Sequence, residues 1–157
     1  MQKIIPFLWF NDSAEEAMNF YVSVFKDSKI VSITRHSEAG PGPRGSVMMG
    51  TFQIEGQEFY AFNGGPSYPL THAISLFVKC ETQAEVDELW TKLSAGGKEI
   101  QCGWLTDRFG LSWQIIPTML GKMLGDKDKE KARRVMQAMQ EMVKIDMAKL
   151  QQAYDGQ

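Results

Sequence analysis

The order of elements in this chain runs through twice. The stretch from Ile4 to Phe10 is short, β-rich and almost continuously apolar, the pattern of a strand covered on both faces. Pro6 restricts it to a sheet edge or a barrel seam, because proline has no amide to give to a ladder. Asp12 or Ser13 can then cap a helix with Glu15 and Glu16 in its first turn. Its apolar stripe is Ala14, Ala17, Met18, Tyr21, Val22 and Phe25, and the helix is expected to end near Lys26. Three β-like stretches follow, at 29–35, 46–54 and 58–62, the last two joined by a turn at Glu55-Gly56-Gln57. From His72 the series restarts: a strand over 73–80, a capping Thr82, and a helix with the stripe Ala84, Val86, Leu89, Trp90 and Leu93 that is stopped at Gly96 and Gly97. Short β stretches at 98–102, 104–107 and 111–116 complete it, with Arg108-Phe109-Gly110 as the last turn. Sliding the chain along itself until Ile4 falls on Ile74 also sets Phe7 on Phe77 and Ala14-Glu15 on Ala84-Glu85. Two βαβββ modules, about 1–66 and 67–118, therefore predict an α+β fold.

Residues 119–157 break the pattern. A mixed-charge run from Asp126 to Lys131 leads into a helical stripe of Ala132, Val135, Met136, Met139, Val143, Met147, Leu150 and Tyr154, with Asp146 able to divide it. Six of the ten methionines lie in this extension. An amphipathic face has to be covered, so the extension is expected to pack on its own domain or on a partner subunit.

Seventeen Lys and Arg stand against nineteen Asp and Glu, a formal charge of -2, with no block of either sign. That balance disfavours nucleic acid and membrane surfaces as partners and suits a small molecule. The apolar run near Met1 is too short to span a bilayer and meets Asn11, Asp12, Glu15 and Glu16 without a small-residue cleavage site, so it reads as a strand. Cys80 and Cys102 make no disulfide framework and have no partners at zinc spacing, so a reducing, cytoplasmic location is expected.

Two motif-like stretches dissolve on inspection. Gly40-Pro41-Gly42-Pro43-Arg44-Gly45 has the letters of a dinucleotide fingerprint, but a strand instead of a helix follows it and two prolines remove amide donors. Gly110-Leu111-Ser112-Trp113-Gln114 lacks the second glycine of a nucleophile elbow and reads as strand. Aromatic residues, by contrast, recur through the strands and turns: Phe7, Trp9, Phe59, Tyr60, Phe62, Trp104, Phe109 and Trp113. Those on the concave side of a curved sheet would line an apolar cleft with a few polar groups such as Asn63 and Gln114.

The duplicated module resembles the vicinal oxygen chelate superfamily, which includes glyoxalase I, extradiol dioxygenases and bleomycin-resistance proteins. More narrowly it resembles the PhnB-like branch, often labelled 3-demethylubiquinone-9 3-methyltransferase. The resemblance is carried by Phe7-Leu8-Trp9-Phe10, Ala14-Glu15-Glu16-Ala17, Phe20-Tyr21, Phe62-Asn63-Gly64-Gly65-Pro66, Gln101-Cys102-Gly103-Trp104-Leu105 and Asp107 to Gln114. It implies a glyoxalase-like fold whose curved sheets form a cleft, and two chains paired as a homodimer. In the superfamily's enzymes a divalent metal is held by His or Glu on the first and last strands and their counterparts. Here those positions fall on Ile5 or Pro6, on the stretch 59–63, on His72 or Ala73, and on Gln114. Only His72 is a good ligand, since isoleucine and proline offer no lone pair and a neutral amide binds divalent cations far more weakly than a carboxylate. The expectation is a metal-independent protein with no cofactor, holding a small aromatic or hydrophobic ligand against Phe7, Trp9, Asn63, Cys102, Trp104 and Gln114. The alternative is an enzyme of the same superfamily: a lyase or dioxygenase with a metal on His72, an isomerase or transferase using Cys102 or Asp107, or the methyltransferase of the label. Methyl transfer from S-adenosylmethionine would call for a Rossmann-like sheet and a glycine-rich loop opening a helix, neither of which the sequence contains.

Overall fold

The computed structural model describes residues 1–157, and the chain divides into two compact units, Met1–Leu70 and Thr71–Gln157. Each is built on one four-stranded mixed sheet.

In the first unit, β1 (Phe7–Phe10) runs into α1 (Ala14–Val24), followed by the meander β2 (Lys29–Arg35), β3 (Val47–Ile54) and β4 (Gln57–Asn63). The sheet order is β1-β4-β3-β2, with β1 parallel to β4 and the other pairs antiparallel. Pro6 thus precedes an edge strand, where its missing amide breaks no ladder, and its carbonyl accepts from Tyr60 N at 2.9 Å. The β3–β4 hairpin turns on Glu55 and Gly56, both at positive φ (49° and 77°), the geometry that lets a two-residue loop match the strand twist. Helix α1 packs on β2, β3 and β4. Met18 and Tyr21 are completely buried beneath it, each worth about 1.5–3 kcal/mol of apolar transfer. Gly50 makes that approach possible: a Cβ there would lie 2.3 Å from Met18 Cε.

The second unit repeats the plan with β5 (Ser75–Cys80), α2 (Gln83–Ser94), β6 (Lys98–Glu99), β7 (Trp104–Thr106) and β8 (Ser112–Pro117), in the order β5-β8-β7-β6. Helix α2 packs on β5, β7 and β8, burying Val86, Leu89, Trp90 and Leu93. The strand expected over 98–102 is only two residues long. Cys102 and Gly103 take positive φ (61° and 81°), and their amides leave the sheet to bond Met142 O and Val143 O, each at 2.8 Å.

Three helices make the extension: α3 (Thr118–Leu124), α4 (Lys129–Gln140) and α5 (Met147–Asp155). Asp146 does divide the stripe, as the cap of α5 that accepts from Lys149 N. The extension is covered by its own unit. Leu120, Met123, Val135, Met142, Ile145 and Leu150 enclose Ile116 of β8. Gln83 of α2 bonds Ile145 O and Met147 N through its amide, and Lys144 pairs with Asp87 at 2.7 Å.

Candidate functional site

Strand alternation gives each sheet a face packed on its helix and a face turned away from it. In the first unit Leu8, Phe10, Phe52, Phe59 and Ala61 are buried on the α1 side. On the other side the register stacks three rows across the strands. Trp9, Phe62, Met49 and Thr34 form one; Phe7, Tyr60, Thr51 and Ser32 the next; Glu58, Gln53 and Lys29 the third. The rings touch. Phe7 lies 5.5 Å from Phe62 and 6.1 Å from Tyr60 between centroids, and Trp9 meets both Phe62 and Tyr68 at 5.0 Å, edge to face. Phe7 nevertheless stays 52% exposed and Tyr68 67%. The indole N–H of Trp9 donates to Gly65 O at 2.9 Å, which anchors the loop after β4 and leaves the ring as apolar surface. Gly64 lies so close that a Cβ would fall 2.2 Å from the Trp9 ring.

Asn63 is the exception among the site residues expected in this unit. Alternation along β4 turns it to the α1 side, opposite Phe10. There its Oδ1 accepts from Ala14 N at 2.8 Å and its Nδ2 donates to Val47 O at 3.1 Å. It caps α1 from a neighbouring strand, a role that Ser13, at the N-cap position, does not fill with its side chain. Both ends of the amide are spent on the fold.

In the second unit, β8 places Ser112, Gln114 and Ile116 on the face away from α2, with Trp104 and Phe77 flanking Gln114 in register. Trp104 and Gln114 are thus brought together as expected, and Phe77, 52% exposed, joins them. Gln114 Nε2 donates to Ser75 Oγ at 2.9 Å. His72, on the exposed segment ahead of β5, places Nδ1 2.6 Å from Ser112 Oγ, and the hydroxyl of Thr106, opposite Ser112, is buried without a partner. Cys102 stands in the turn before β7, outside the strand rows, with its amide held by the extension. Asp107, a candidate in the enzymatic alternative, is buried, and its carboxylate accepts from Phe109 N, Leu111 N and Trp113 Nε1 at 2.8–3.1 Å. It is a turn clasp with its two oxygens occupied. Cys80 is fully buried, and burial together with Glu85 and Glu81 pushes its thiol up to about 12, which keeps it protonated and unreactive.

The superfamily's metal does not fit these side chains. No three His, Cys, Asp or Glu side chains converge anywhere in the structure. His72 spends one ring nitrogen on Ser112, and Gln114 uses its amide nitrogen on Ser75.

The six expected site residues do not include Tyr60 and Phe62, which the sequence offers only among its recurring aromatic residues, nor Glu58 and Ser112. Ser112 shares the period-2 face of Gln114, but alternation along β4 sets Tyr60, Phe62 and Glu58 opposite Asn63, so placing them beside Phe7 and Trp9 needs the parallel register of β1 on β4.

A family model described as 3-demethylubiquinone-9 3-methyltransferase matches residues 2–116. The chain belongs to this family, in its PhnB-like form. The PhnB protein of Bacillus cereus is 43% identical over 74% of this chain and 100% of its own, with a TM-score of 0.70. A Pseudomonas aeruginosa protein matches at 22% identity over 74% of this chain and 98% of its own, with a TM-score of 0.62. The fosfomycin resistance protein FosX of Mesorhizobium loti shares the fold at 14% identity, TM-score 0.52, over 72% of this chain and 90% of its own. The α+β, glyoxalase-like architecture is thus that of PhnB and FosX, members of the vicinal oxygen chelate superfamily. A comparison with curated proteins finds no match. No helix of this PhnB-like chain is long and apolar enough to cross a membrane.

Proposed function

We propose that this PhnB-like protein binds a small aromatic or hydrophobic molecule without a metal, on a sheet face turned away from its helix. The observation that carries the reading is the ring-lined face of the first sheet. Trp9, Phe62 and Phe7 hold large apolar area at low entropic cost, and Trp9 has already satisfied its N–H inside the protein. In the second unit, Phe77, Trp104 and Gln114 offer a smaller face of the same kind, with one amide to orient a polar group.

The test is a fragment screen followed by ligand-observed NMR on metal-free protein, with turnover measured for every binder. Saturable binding of planar apolar fragments that shifts the Trp9 indole signal, with the fragments recovered unchanged, supports the proposal. Binding that requires added Mn²⁺, Zn²⁺ or Ni²⁺, or rapid conversion of the bound compound, sinks it in favour of an enzyme. S-adenosylmethionine belongs in the same screen, since the family's description names methyl transfer. We further propose that two copies pair as a homodimer, which sedimentation equilibrium would decide by mass.

A further inference from the structure

The ring-lined face of the first sheet carries its two charged residues, Glu58 and Lys29, in a single row. Alternation along β4 sets Glu58 on the same face as Tyr60 and Phe62, in the row adjoining Phe7 and Tyr60. Glu58 is half-buried. Its backbone is held at both N and O by the side chain of Gln2, but its carboxylate has neither a hydrogen bond nor an ion pair. Lys29 is the one basic residue on these three rows, and Gln53 separates it from Glu58, so the two lie two strands apart, about 10 Å. Arg35, the other cation of β2, is on the α1 side, paired with Glu15 at 2.7 Å.

Ring faces are the negative part of an aromatic quadrupole, and an unpaired carboxylate on the same face adds a full negative charge. Both favour a cation, and both disfavour an anion such as a phosphate or carboxylate. We propose that this face takes an organic ammonium group, resting over Phe7, Trp9, Tyr60 and Phe62 with Glu58 as its counter-charge. The inference rests on the proposed reading of this face as a small-molecule surface and narrows it to amphipathic cations, compounds with an apolar body and a tertiary or quaternary nitrogen.

The probes are benzyltrimethylammonium and its neutral carbon isostere, neopentylbenzene, titrated into the full-length protein while the Trp9 indole N–H is followed by NMR. The cation is expected to bind roughly fivefold more tightly or better than the isostere. Raising the salt should weaken the cation alone, and Glu58→Gln, which leaves the backbone bonds to Gln2 in place, should remove most of the preference. Phe7→Leu, at an exposed position, should weaken the cation more than the isostere. If the isostere binds as tightly as the cation, or if Glu58→Gln keeps the full preference, the ammonium assignment is overturned while the small-molecule reading stands. If neither probe moves the Trp9 signal, both fall.

Discussion

The two sheets share one topology and spend it differently. Tyr60 of β4 and Gln114 of β8 occupy the same place, opposite Phe7 and Phe77 respectively on the parallel side and opposite Thr51 and Trp104 on the antiparallel side. The next row, toward the end of each central strand, separates the modules. In the first it holds Phe62 and Trp9, both partly exposed. In the second it holds Ile116 and Lys79, and Ile116 is buried in the cluster supplied by the extension. Gly50 precedes Thr51 in β3, and Gly103 precedes Trp104 in the turn before β7. The first admits Met18 from a helix, whereas the second admits Ile116 of β8 and Ile145 of the extension. Helix starts differ in the same manner: Thr82 caps α2 locally, with Glu85 reaching back to Glu81 N, while α1 depends on Asn63 from β4. One module therefore keeps an open aromatic face and is tied together across its strands; the other has part of the equivalent surface closed by its own C-terminal helices.

That contrast can be broken most forcefully by truncation after Gly125. Removing α4 and α5 uncovers Ile116, Leu120 and Met123 and deprives the Cys102 and Gly103 amides of their acceptors. The expected result is loss of dispersed amide NMR signals from β5 to β8 while those of β1 to β4 persist; a truncated chain with both sets intact would show the extension to be an accessory.

Glycines provide the next test. An alanine at Gly97 would drive Cβ to 2.1 Å from Thr106 O, against backbone that cannot swing aside, and should cost roughly 3 kcal/mol or more. The same change at Gly64 meets only the rings of Trp9 and Phe62, so a cost of about 1–2 kcal/mol is expected, together with a displaced Trp9 indole signal. Urea titrations of the two variants should rank them in that order.

Smaller again are the caps. Asn63→Ala removes the partner of Ala14 N and of Val47 O, for about 1–2 kcal/mol, and Thr82→Ala about 1 kcal/mol, since Thr82 makes a single local bond. Equal losses in denaturant would mean that the cross-strand cap is no stronger than the local one.

Near neutral pH the smallest effect concerns the thiols. Cys80 is held at about 12 against an ordinary 9.0, so the folded state keeps a proton that the unfolded chain releases. Stability is therefore unaffected below pH 9 and falls as pH rises from about 9 toward 12. Thiol reagent at pH 8 should label Cys102 in the folded protein and reach Cys80 only on unfolding; mass spectrometry of the labelled peptides reads this directly. Labelling of native Cys80 would contradict its burial.

Much of this architecture was legible in residue order. The stripes of Ala14, Met18 and Tyr21 and of Val86, Leu89 and Leu93 marked both helices, and Glu55-Gly56 marked the hairpin, because period and turn chemistry are local properties. Pro6, just ahead of β1, restricted that strand to a sheet edge or a barrel seam for the same reason, and β1 is an edge of its sheet. The candidate site was legible only in part. Phe7 with Trp9, and Trp104 with Gln114, share faces as expected, but Asn63 turned to the helix side, and Asp107 was consumed by its own turn. Glu58 gave no sequence signal at all, since an isolated acid in a strand looks like any solvated charge.

By itself, then, the sequence determined a doubled βαβββ order and the family that carries it, because hydrophobic period, caps and turns act over a few residues. Only the tertiary structure decided which aromatic residues lie uncovered, which polar groups are already spent and what the extension encloses. Those depend on strand register and on contacts such as Gln83 with Met147 or Trp9 with Gly65, which join residues far apart in the chain and leave no periodic trace in it.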